Sequence, residues 1–111
     1  MENSFGQLKK HIQIFTSISE EEFHDSVQYF EKFSVKKKEM IHKAGTVCTY
    51  NYFIISGCIR LFFINEKGVE QTIDFAIENW WLTDLFSYIN QQSSEFYIQA
   101  VENAIIMKMS K

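Results

Sequence analysis

Three glycines, Gly45, Gly57 and Gly68, stand twelve and eleven residues apart in the middle of the chain. Between them lie runs of isoleucine and aromatic residues, and eleven of the fourteen isoleucines fall at or after position 41. Short β-favouring runs broken by turn residues at that spacing predict antiparallel strands folded into a sandwich or barrel. The clearest hairpin runs from Cys58–Ile64 through Asn65-Glu66-Lys67-Gly68 into Val69–Ile77, with Gly68 in the left-handed position of the turn. Alternation along the second arm sets Gln71, Ile73, Phe75 and Ile77 on one face. Phe96–Ala100 and Ala104–Met109 read as two closing strands joined at Glu102-Asn103. Residues Asp84–Tyr88 read as a short helical turn capped by Thr83 or Asp84.

The first 32 residues have a different period. Leu8, Ile12 and Phe15 recur at helical spacing after a cap at Asn3 or Ser4. Ser19-Glu20-Glu21-Glu22 has the form of a capping box, followed by the apolar stripe Phe23, Val27 and Phe30. The expectation is one domain over residues 1–111, with a helical lead-in at 1–32, a barrel at 33–111 and a short helix near 84–89. At 111 residues the chain has room for a single core.

Composition narrows the function classes. Fourteen acidic against eleven basic residues give a net charge of −3, without the basic footprint of a nucleic-acid-binding domain. The N-terminus has no apolar leader segment, and no run of eighteen apolar residues occurs, so no membrane span is expected. Two cysteines, Cys48 and Cys58, in a chain large enough to need no staple suit a reducing cytoplasm. His11, His24 and His42 are dispersed, without the spacing of a metal site, and surface or capping roles are expected for them. That dispersal also speaks against a metal-dependent barrel enzyme. No nucleophile motif or glycine-rich phosphate loop is present, and no catalytic residue is assigned. The run Lys36-Lys37-Lys38 reads as a solvated turn. The adjacent tryptophans Trp80 and Trp81 should point to opposite faces of a strand, one into the core and one toward solvent or a partner.

One set of residues goes further. Ala44-Gly45, then Tyr52-Phe53-Ile54-Ile55-Ser56-Gly57-Cys58-Ile59-Arg60-Leu61, the turn closing on Gly68, Glu70, Phe75 and Trp81-Leu82-Thr83-Asp84-Leu85 follow one another in a familiar order. In these the chain resembles the effector-binding domain of Crp–Fnr-type bacterial transcription regulators. The resemblance implies a mainly β fold with N-terminal helices (an α+β chain), a double-stranded β-helix or jelly-roll barrel of the cyclic-nucleotide-binding type. It also implies a pocket between strands and a short helix.

In relatives that bind cyclic nucleotides the pocket carries Gly-Glu-Leu and, ten residues after the Glu, Arg-Ser or Arg-Thr. The arginine fork holds the cyclic phosphate and the glutamate accepts from the ribose hydroxyl. The matching positions here are Thr83-Asp84-Leu85 and Ser94-Glu95. A charge-assisted hydrogen bond is worth roughly 1.5–3 kcal/mol, so losing the bidentate arginine costs on the order of 100-fold in affinity. The only arginine, Arg60, falls on a strand between Ile59 and Leu61, which should face inward. Cyclic AMP binding is therefore expected to be weak or absent.

What the resemblance implies is a sensory domain with no cofactor, open to an unidentified small-molecule effector. Thr83, Asp84, Leu85 and Ser94 would form the polar rim of its pocket, lined by Leu61, Ile73 and Asp74. A homodimer is a further expectation, and DNA would be reached only through a domain absent from this chain. The alternative reading is a ligand-free interaction or dimerisation module of the same fold.

Overall fold

The computed structural model describes residues 30–110, and the helices read from the sequence before residue 30 lie outside the described residues. Among the described residues eight strands form two four-stranded antiparallel sheets. The first sheet is ordered β1 (Phe30–Val35), β8 (Ala104–Ser110), β3 (Tyr50–Ser56) and β6 (Trp81–Leu82). The second is ordered β2 (Met40–His42), β7 (Tyr97–Ala100), β4 (Ile59–Ile64) and β5 (Glu70–Ala76). One helix, α1 (Leu85–Asn90), follows β6. This is the antiparallel sandwich expected from the glycine-punctuated strands, in the mainly β jelly-roll form that the resemblance implies.

The core lies between the sheets. Tyr52, Ile54, Ala104 and Ile106 from one sheet meet Ile59, Leu61, Ile98 and Ala100 from the other. Alternation along each strand produces this inner face. On the opposite face of the first sheet, Phe30, Phe53, Ile55 and Met107 form a second cluster, against which Trp81 packs. Trp81 lies 5.1 Å from Phe53, ring centre to ring centre, whereas Trp80 stays exposed. Phe30 corrects the sequence reading. It opens β1 opposite Met109 and is not the end of a helical stripe. Pairing with β8 overrides a three-to-four-residue spacing that fits a helix equally well.

The turns follow their local chemistry. In the β4–β5 hairpin, Asn65 Oδ1 accepts the N–H groups of Lys67 (2.9 Å) and Val69 (3.0 Å), and Gly68 takes φ +79°. Between β3 and β4, Gly57 sits at φ +96° against the Asn103–Ala104 turn, where an added Cβ would lie 2.6 Å from Asn103 O. Only glycine fits there.

Two irregularities in register re-aim side chains. Met40 pairs with Gln99 and His42 with Ile98, so Ile41 is extra and His42 turns onto the inward face that Ile98 occupies. The expectation of a surface or capping role is thereby corrected for His42, which is buried. In the hairpin, Leu61 pairs with Asp74 and Phe62 with Thr72, leaving Ile73 as the bulged residue. The even alternation read for Gln71 to Ile77 is broken there, and Ala76 is the buried residue of β5.

Candidate functional site

The segment from β6 into α1 and on to β7 gathers the polar residues of the site. Asp84 takes an extended conformation ahead of α1 and caps it, accepting the Ser87 N–H on Oδ1 at 3.3 Å. Its other oxygen, Oδ2, accepts the Ser94 hydroxyl at 2.6 Å. Ser94 Oγ in turn accepts the Phe96 N–H at 3.0 Å. Both side chains are buried. Ser87, fully buried, accepts the Cys48 N–H at 2.8 Å and donates to Gln92 O at 2.5 Å. Thr83 donates to Tyr50 O at 2.8 Å, and Cys48 Sγ lies 3.4 Å from its hydroxyl. The helix closes at Gln91, whose left-handed backbone returns its N–H to Ser87 O.

These contacts form a closed network. A buried carboxylate is tolerated only when it is hydrogen-bonded, and both Asp84 oxygens are. The aspartate is one methylene shorter than a glutamate, and that shortness suits an N-cap. His42 adds the remaining titratable group. Burial holds its pKa below the ordinary 6.5, opposed more weakly by the negative charge of Asp84. Its Nε2 is buried and has no hydrogen-bond partner among the described residues.

Beside this network lies an open groove of about 970 Å³ between the β4–β5 hairpin and the Glu95–Phe96 segment. Its apolar walls are Phe63, Ile64, Ile73 and Phe96, and its charged groups are Glu66, Lys67 and Glu95. Phe63 and Phe96 meet edge to face, with ring centres 6.1 Å apart.

The residues singled out from the sequence therefore separate. Thr83, Asp84 and Ser94 belong to the closed network. Leu61 is buried in the core. Asp74, its cross-strand partner, is exposed and accepts the N–H of Phe75. Leu85 is 62% exposed on α1 and does not line the groove. Ile73 alone of the seven lines the groove. Sequence reasoning missed Ser87, although its place three residues after Asp84 is the N3 position that a cap contacts. It also missed the groove walls Phe63 and Phe96, whose approach depends on how β4 and the entry to β7 pair.

Arg60 is engaged elsewhere. Its guanidinium meets Glu70 at 2.6 Å, Gln99 Oε1 at 2.6 and 3.1 Å, and Thr72 at 2.9 Å, and it lies 4.0 Å over the Phe62 ring. Among the described residues no three His, Cys, Asp or Glu side chains gather where a metal ion could be held.

Comparison with known proteins agrees with this architecture. The family model described as the cyclic nucleotide-binding domain matches residues 32–111. No curated protein matches the chain. Among solved structures, the Thermus thermophilus catabolite activator protein aligns with a TM-score of 0.74 and 21% identity, over 87% of this chain and 45% of that one. DNR from Pseudomonas aeruginosa aligns with a TM-score of 0.84 and 16% identity, over 99% of this chain and 48% of that one. The sensor domain of the transcriptional regulator DNR aligns with a TM-score of 0.77 and 16% identity, over 93% of this chain and 73% of the domain. At these identities the likeness is one of fold. The chain spans about half the length of the first two proteins.

Proposed function

The chain belongs to the cyclic nucleotide-binding domain family, and from that premise we propose that it is the ligand-sensing domain of a Crp–Fnr-type transcription regulator, one that does not hold cyclic AMP in the usual way. The observation that carries this reading is the buried hydrogen bond from Ser94 to Asp84 at 2.6 Å. The two positions that would present an arginine and a glutamate to a cyclic phosphate and ribose are bonded to each other. Glu95, next in the chain, adds negative charge where the phosphate would lie. Arg60, held by Glu70 and Gln99, is not free to replace the missing fork. A phosphate would then lack a bidentate partner, a loss on the order of 100-fold in affinity.

In this reading the effector is a small molecule without a cyclic phosphate, and its binding shifts the domain between two arrangements. The shift would be passed to a DNA-binding domain that is not among these residues, within a homodimer. The free thiols Cys48 and Cys58 support work in the cytoplasm. Titration calorimetry with cyclic AMP tests the reading, with no micromolar binding expected. Micromolar binding that Asp84→Ala abolishes would overturn it.

The exposed apolar side chains Trp80, Leu85, Phe86 and Ile89 favour a second reading, a ligand-free interaction module. Sedimentation of the chain and its Phe86→Asp variant separates the two. Only an interaction module loses its association with this change while showing no ligand response.

A further inference from the structure

We propose that the groove between the β4–β5 hairpin and the Glu95–Phe96 segment binds an organic amine, a ligand with an apolar or aromatic body and one cationic group. This inference rests on the sensory reading above and names the chemistry of its ligand. The groove's volume, about 970 Å³, is at the upper end of the roughly 300–1,000 Å³ usual for small-molecule sites. Phe63, Ile64, Ile73 and Phe96 supply apolar contact, and the edge-to-face pair of Phe63 and Phe96 offers ring surface that attracts a cation.

Charge sets the sign of the ligand. Glu66 and Glu95 stand against the single Lys67, and neither glutamate has an ion-pair partner among the described residues. An ammonium entering the groove can pair with Glu95 while its body rests on Phe96, the next residue. An anion meets two carboxylates and only the lysine at the hairpin tip. The hydroxyl beside the groove, Ser94, already donates to Asp84 and has no proton left for an anionic ligand.

The test is methyl-detected NMR on the 111-residue chain with three probes of similar size: phenethylammonium, phenylacetate and benzyl alcohol. Phenethylammonium is expected to shift the methyl signals of Ile64 and Ile73 in a saturable way at millimolar concentration. Phenylacetate should bind at least about tenfold more weakly, a difference of about 1.4 kcal/mol. Glu95→Gln, an exposed change, should weaken the amine several-fold and leave benzyl alcohol unaffected. Equal binding of phenylacetate, or no shift with the amine, overturns the inference. Micromolar cyclic AMP binding that Asp84→Ala abolishes would instead overturn the closed phosphate site of the reading above, so the two failures are distinguishable.

Discussion

Ser94 donates its hydroxyl to Asp84 across 2.6 Å, and the bond ties the residue that caps α1 to the segment entering β7. The two residues are ten apart in sequence and both are buried. In the reading proposed above, the two residues that would face a nucleotide are instead part of the scaffold.

Removing that bond leaves a buried carboxylate oxygen without its partner. Ser94→Ala is expected to lower stability by about 1.5–3 kcal/mol, the range for hydrogen bonds to charged groups. Asp84→Asn should cost less, because an amide oxygen still caps the Ser87 N–H. Urea unfolding at neutral pH checks both, with the midpoint moving and the slope unchanged.

His42 makes stability depend on pH. Burial lowers its pKa in the folded chain, so the unfolded chain binds the proton more readily. Its contribution is fully present above the ordinary value of 6.5 and is lost as pH falls through the lowered folded value. Urea midpoints measured from pH 7.5 down to about 5 should therefore fall on acidification. In His42→Leu that slope should be shallower.

Gly57 and Gly68 both have positive φ, but their surroundings differ. At Gly68 an added methyl meets open space, and Gly68→Ala should cost about 1 kcal/mol, the strain of the left-handed backbone. At Gly57 the methyl would lie within 2.7 Å of Ala104 Cα and Cβ, so backbone must move. Gly57→Ala should lower the melting temperature several times more than Gly68→Ala, as read by circular dichroism.

Arg60 is a cross-strand tie. Arg60→Met keeps an apolar stem over Phe62 and loses the fork to Glu70, Gln99 and Thr72. Glu70 is half exposed, which screens the ion pair, and a cost of about 1 kcal/mol is expected. Binding of phenethylammonium in the groove should be unchanged by this variant, since Arg60 is not among the groove residues.

By itself the sequence determined the strand-rich class, the hairpin at Asn65–Gly68, the short helix with Asp84 at its cap and the absence of an arginine at position 94. Each of these depends on residue type and on neighbours within a few positions, where alternation, turn chemistry and capping act. Tertiary structure alone decided what the polar residues do. Ser94 reaches Asp84 only because the loop after α1 folds back to start β7. His42 faces inward because Ile41 is an extra residue against β7, and Ile73 leaves the alternation because it is an extra residue against β4. A bulge moves side chains from one face to the other with no local signature, since it is the partner strand's pairing that selects it. The same long-range pairing set Phe63 against Phe96 and so made the groove.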